Sequence, residues 1–195
     1  ELNKYDVKIL SQRWGNTPFG FIKNNPEWKF LEPLLLHQPQ LPRQPEIWAQ
    51  ITVPNEFQKI GKFNIGVTAG IESTAPPKEF ILGCNNMDLN LVSSQFTKNT
   101  FLNVGYEERD KKGNVVNTIK LQKPIEVLFE GLDLNTYFKS PNKSGLLDNI
   151  EESFCFLFTG HWLPGNFGED RKNVATLIKT FLEAFNKRGP KPALL

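Results

Sequence analysis

Long apolar runs are missing from this chain, and so are clustered cysteines and a dominant charge. No apolar stretch approaches the roughly 20 residues that cross a bilayer, so no membrane span is expected. No signal segment opens the chain, and a cytoplasmic setting is the expectation. The two cysteines, Cys84 and Cys155, are too few for a disulfide framework. Cys155 lies inside an apolar run and reads as a small buried hydrophobe. The two histidines, His37 and His161, stand far from both cysteines, so no metal-ligand spacing exists. Neither a metal nor another cofactor is expected. Lys and Arg number 23 against 21 Asp and Glu, a formal net charge of +2. A nucleic-acid binder would show a clustered basic patch, whereas segments such as Arg109-Asp110-Lys111-Lys112 mix both signs. Neither G-x-G-x-x-G nor a Walker A run occurs, so a phosphate site has to be built by other means.

What is present is enough for a sizeable core. At 195 residues the chain makes one large domain or one and a fraction. Its 16 Phe and 4 Trp supply large packing units. Residues 4–11 read as a strand and 13–18 as a loop of turn formers. Prolines 26, 33, 39, 42 and 45 leave room only for a short helix through Glu27–Leu36, interrupted at Pro33. His37, beside them, reads as incidental. Strands follow at 46–53 and 62–70; Gly66 and Gly70 in the second imply close backbone approach, to a neighbouring element or to a ligand. After the polar turn Ile71–Pro77 come a short helix at Phe80–Asn86 and a strand at Met87–Ser94. Ser94 is placed to cap a helix over Gln95–Val104.

Residues 105–122 are charged and read as a surface excursion turning at Gly113-Asn114. A strand is expected at Ile125–Phe129, and the Ser140–Ile150 stretch is the best linker candidate. Beyond it, 154–161 is apolar and ends at a glycine, 174–187 has helical periodicity, and Ala193-Leu194-Leu195 begins another buried strand. Strands alternating with helices predict a parallel α/β sheet. The expected division is residues 1–140, a linker at 141–153, and a second domain at 154–195. Both ends read as cut, one before a first strand and one inside a later strand. Such ends predict self-association through a bare strand edge and the helix face of Leu177, Phe181 and Phe185.

The run Phe154–His161, the Pro- and Gly-rich loop after it, and Glu169-Asp170-Arg171-Lys172-Asn173 before the amphipathic 174–185 segment form the pattern from which α/β proteins build anion sites. Ligands there sit outside strand carboxyl ends, where helix N-termini aim N–H groups at phosphate. Arg171 and Lys172 are cations at a helix start, which the macrodipole disfavours by roughly 0.3–1 kcal/mol each. A bound anion reverses that penalty, and the acids Glu169 and Asp170 also offset it. The plainer reading, a core strand and a helix whose basic start is merely solvated, stands beside the functional one.

Four segments carry a family likeness. They are Asn64–Glu72 with Pro76-Pro77, Met87-Asp88 through Ser94-Gln95-Phe96, Pro124–Asp133 running on to Tyr137-Phe138, and Phe158-Thr159-Gly160-His161 through Arg171-Lys172 to Phe181. In order and spacing they resemble the GT-B-fold, retaining glycosyltransferases of the group 1 type, which use nucleotide-sugar donors. The second matches a D-x-x-x-x-x-S-x-F strand and cap, and the third a P-x-x-V-x-x-x-G-V-D-x-x-x-F segment before the interdomain linker.

The resemblance covers roughly residues 46–195. It implies an incomplete Rossmann-like acceptor domain, lacking its first strand, followed by the first βαβ of a donor domain. It also implies transfer of a sugar from a nucleotide-sugar donor to an unidentified acceptor. The family's donor loop reads Gly-Arg, then Arg-Lys-Gly, and its cations hold the donor diphosphate. Gly160, Arg171 and Lys172 match, His161 stands in place of the Arg, and Asn173 in place of the Gly. Glu72 matches an acid of the acceptor-domain turn, with an exposed structural acid as its plainer role. The family's paired glutamates are expected beyond residue 195, so this piece is expected to be inactive by itself. A non-catalytic nucleotide- or sugar-binding module, or an assembly protein, are the alternatives.

Overall fold

The computed structural model describes residues 4–12, 20–38, 40–41, 43–71, 73–141, 145, 147–163, 165–186, 189 and 191–195. The chain is mixed α/β and divides into two compact units, residues 1–131 and 132–195. The expected linker at 141–153 therefore lies within the second unit.

The expected strand at 4–11 amounts to one parallel bridge, Ile9 to Leu35, closed by Ile9 N–H to Leu34 O and Leu36 N–H to Ile9 O, each 2.8 Å. After a single α-turn, α1 (Phe21–Asn24), residues Pro26–Leu34 wind as a 3₁₀ helix. Pro33 inside that segment removes a donor that an α-helix needs, and a ladder cannot extend from Leu35 through this proline-rich stretch.

The first unit is organised by four parallel strands in the order β1 (Ile47–Ile51), β2 (Phe63–Thr68), β3 (Leu89–Val92) and β6 (Ile125–Val127). Between β2 and β3 runs α2 (Lys78–Asn85), and after β3 comes α3 (Gln95–Asn103). Each strand stops short of its expected end; β2 ends at Thr68, two residues before Gly70 takes φ +81°. The glycines answer to neighbouring elements. A Cβ on Gly66 would lie 2.5 Å from the Phe57 ring, and one on Gly70 would lie 2.1 Å from the Thr97 methyl.

The charged 105–122 segment is an antiparallel hairpin, β4 (Gly105–Arg109) and β5 (Val115–Lys120), turning at Gly113 with φ +86°. It is more than a surface excursion. Ile119 is buried in the core, the Tyr106 hydroxyl donates to Pro76 O, and Lys78 pairs with Glu108 at 2.8 Å.

The core lies on one face of the sheet, formed by Phe57, Ile81, Cys84, Met87, Val92, Phe101, Ile119 and Ile125. Gln50, Asn64, Gly66, Thr68, Asn90 and Val92 point to that side and are buried. The register sets Ile47 beside Phe63, then Ala49 beside Ile65 and Leu89, then Ile51 beside Val67 and Leu91, on the opposite face. Ile47 is 62% and Ile51 68% exposed. An all-parallel sheet is ordinarily covered on both faces; on the second face Ile47, Ala49, Ile51 and Phe63 are exposed, and Ile65, Val67, Leu89 and Leu91 are half-buried.

The second unit is a βαβ. Strand β7 (Cys155–Phe156) pairs in parallel with β8 (Ala193–Leu194), and α4 (Val174–Phe185) connects them. The expected strand at the last residues is thus present, bonded by Leu195 N–H to Phe156 O at 2.9 Å and Phe158 N–H to Leu195 O at 2.8 Å. Phe156 packs on Phe181 and Phe185, with ring centroids 6.1 and 5.8 Å apart. The α4 face expected to be bare is therefore partly used within the unit, and of its three residues Leu177 stays exposed.

Candidate functional site

In a βαβ unit the helix begins at the carboxyl end of the first strand. The topology accordingly puts Gly160 and His161, which follow β7, at the same end of the unit as the start of α4. Gly160 and His161 lie in the loop that leaves β7, and Arg171 and Lys172 in the turn that opens α4. Both His161 and Lys172 are exposed, as is Arg171. A Cβ on Gly160 would lie 2.7 Å from the Phe158 ring, so a local packing reason already accounts for that glycine. Glu72 lies outside the described residues.

The cations do not sit in the first helical turn. Residues 170–173 form a β-turn ahead of it, closed by Asn173 N–H to Asp170 O at 2.9 Å. Asn173 takes φ +52°, ψ +36°, the left-handed region, and α4 begins one residue later at Val174. Asn tolerates that region better than most residues, which explains how it can stand where a glycine was expected from the resemblance.

Asp170 holds the turn together. Its residue is only 4% exposed, and its Oδ1 accepts the N–H groups of Lys172 and Val174, both at 3.2 Å. A carboxylate at this position is favoured by the helix dipole. Its Oδ2 is buried and has no hydrogen-bond partner among the described residues. Just upstream, Asn166 donates to Glu169 Oε2 at 2.8 Å and Glu169 N–H returns to Asn166 O at 3.0 Å. The two acids thus have distinct tasks: Glu169 ties the loop, and Asp170 caps α4.

The sequence pattern places an anion at the start of α4, but the first amide there, Val174 N–H, is bonded to Asp170. Arg171 and Lys172 are both exposed on this turn. Asp170 was read only as a charge offsetting its neighbours; the signal that marks it is an Asp placed so that its carboxylate can receive the N–H groups two and four residues on.

The first unit's matching end is occupied by its own hydroxyls. Ser94 Oγ accepts Thr97 N–H at 3.1 Å and so caps α3, as its position in the sequence predicts. The hydroxyls of Ser93 and Thr97 both donate to Ala69 O at 3.4 Å. At the amino ends of β2 and β3 the buried Asn64 joins the loop at residues 60–61 to Asp88. Its Oδ1 accepts Ile60 and Gly61 N–H, and its Nδ2 donates to Gly61 O and Asp88 Oδ2. The Asn64 side chain, with its N–H and nearby Lys123, holds the Asp88 carboxyl below its ordinary range. Asp88 and Ser94, two anchors of the family likeness, therefore have structural work in this fold. Burial pushes the Cys84 thiol up to about 12, so it is inert as a nucleophile at neutral pH.

Among the described residues no helix is long and apolar enough to cross a membrane, and no cluster of His, Cys, Asp and Glu is arranged to hold a metal. No protein-family model matches the chain, and no curated protein or solved structure does either.

Proposed function

We propose that the chain serves a GT-B-type, retaining glycosyltransferase in the cytoplasm, moving a sugar from a nucleotide-sugar donor to an acceptor. The first unit corresponds to part of the acceptor domain and the β7–α4–β8 unit to the opening of the donor domain. One observation carries the reading. The turn that opens α4 at the carboxyl end of β7 holds two exposed adjacent cations, Arg171 and Lys172.

Breaking a sugar–diphosphate bond builds negative charge on the departing diphosphate. Fixed cations stabilise that charge more than they stabilise the bound donor, which is the form of help that accelerates the step. Lys172 has the main part in this reading, with Arg171 beside it and His161 donating to a phosphate oxygen. Glu72 orients the acceptor hydroxyl. No cofactor takes part. Transfer also requires donor and acceptor held in attacking geometry, worth roughly 7–11 kcal/mol. Residues 1–195 lack the paired glutamates that would grip the sugar and ribose. These residues by themselves bind a nucleotide diphosphate and do not transfer sugar.

Calorimetry with UDP and GDP tests both halves. A charge-assisted contact contributes roughly 1.5–3 kcal/mol, so Lys172→Ala weakens binding about tenfold or more. Equal affinities in wild type and variant refute the role of Lys172. Sugar transfer by this chain alone refutes the rest.

An assembly role is the second reading, and the bare apolar sheet face of Ile47, Ile51 and Phe63 favours it. Light scattering distinguishes the two. A concentration-dependent rise in mass without any nucleotide binding supports assembly.

A further inference from the structure

Resting on the diphosphate reading above, we propose that Asp170 is the positioning residue of the phosphate contact, and that the anion is held by side chains of the 170–173 turn and not by the first amide of α4. Helix N-termini attract phosphate because their N–H groups lack partners. Here Val174 N–H, and Lys172 N–H one turn corner earlier, are both taken by Asp170 Oδ1 at 3.2 Å. An arriving diphosphate finds that position filled by a carboxylate of its own sign. What the carboxylate does instead is fix the backbone of Lys172 from one side, while Asp170 O fixes Asn173 from the other at 2.9 Å. The lysine backbone is thereby anchored on both flanks, and its stem starts from a defined point.

The second oxygen separates geometry from charge. Asp170 Oδ2 is buried without a partner among the described residues. Only Oδ1 shapes the turn. An amide would accept the same two N–H groups without the negative charge. The shape of the turn and the charge of Asp170 therefore act on a bound diphosphate with opposite signs, the first favouring it and the second repelling it.

Three variants read this out by UDP calorimetry, with thermal melting as a check on folding. Asp170→Asn keeps the acceptor and removes the charge, and its affinity rises about threefold. Asp170→Ala removes the acceptor, and its affinity falls about three- to tenfold, part of what Lys172 supplies. In a Lys172→Ala background the fall caused by Asp170→Ala disappears, because the residue acts through that lysine. A purely structural Asp170 would give the same loss in both backgrounds. That result, or an Asp170→Asn protein as weak as Asp170→Ala, or an Asp170→Ala protein as tight as wild type, overturns the inference and leaves the diphosphate reading standing. Wild type that binds neither UDP nor GDP removes the diphosphate reading, and Asp170's part goes with it.

Discussion

The chain passes from β3 to α3 through Ser93 and Ser94, and from β7 to α4 through residues 157–173. Both junctions lie at strand carboxyl ends, and both must satisfy helix N–H groups that lack partners. At the first, a neutral hydroxyl does so, and Ser93 and Thr97 turn their own hydroxyls onto Ala69 O. At the second, a buried carboxylate does so from a β-turn that carries two exposed cations. A short neutral junction closes on itself. In the long charged one a buried carboxylate sets the shape of the turn, and two cations are exposed on it. The contrast distinguishes a junction closed by neutral hydroxyls from one that carries two exposed cations, and the proposed binding site is placed at the second.

That contrast can be broken by substitutions on either side, and the largest effect belongs to the first unit. A Cβ on Gly83 would lie 1.7 Å from Pro54 O, which is backbone and cannot step aside. Gly83→Ala destabilises the first unit by about 3 kcal/mol or more. Urea unfolding followed by tryptophan fluorescence measures this; a loss under about 1 kcal/mol shows that the α2 contact with the 54–56 turn is looser than described. Next is the Lys172→Ala loss of UDP affinity, which is accompanied by an unchanged melting temperature. If binding and melting fall together, Lys172 belongs to the packing of its unit and the contrast between the junctions fails.

Ser94→Ala is smaller. Losing the cap costs about 1 kcal/mol of stability and leaves UDP binding as it was. A binding defect in Ser94→Ala would put the ligand at the wrong junction.

The smallest effect is a dependence on pH. The carboxyl of Asp88 is held below its ordinary value, foremost by the Asn64 side chain. A depressed carboxyl contributes stability above its unfolded pKa and loses it as pH falls through the folded one. Asp88→Asn is therefore less stable than wild type at pH 7, and the gap closes below about pH 4. Melting curves at stepped pH check this, and a gap that widens in acid rules out the assigned sign.

Local features of the fold were legible because short-range chemistry decides them. Ser94 before an amphipathic run reads as a cap, Gly113-Asn114 between extended residues reads as a turn, and the apolar residues at 154–158 and 193–195 read as strands. Features that depend on a neighbour distant in sequence were misread or missed. The 105–122 segment looked like surface because its charges hide Ile119, which enters the core only once the hairpin lies against α2. Gly66 and Gly70 announced close approach, and only the packed structure identified the partners as Phe57, Met87 and Thr97. Asp170 is the exception, since its partners lie only two and four residues on and it was still read as a charge among charges.

By itself the sequence determined an α/β chain of alternating strands and helices. It also determined two adjacent cations next to a helix start and a composition with no long apolar run. Propensity, periodicity and charge are properties of residues and their near neighbours, and they survive without a fold. Only the tertiary structure decided the strand order β1-β2-β3-β6 and the face of that sheet which holds the core. Those outcomes depend on which distant groups meet and which polar atoms lose water together, and no local pattern encodes that meeting.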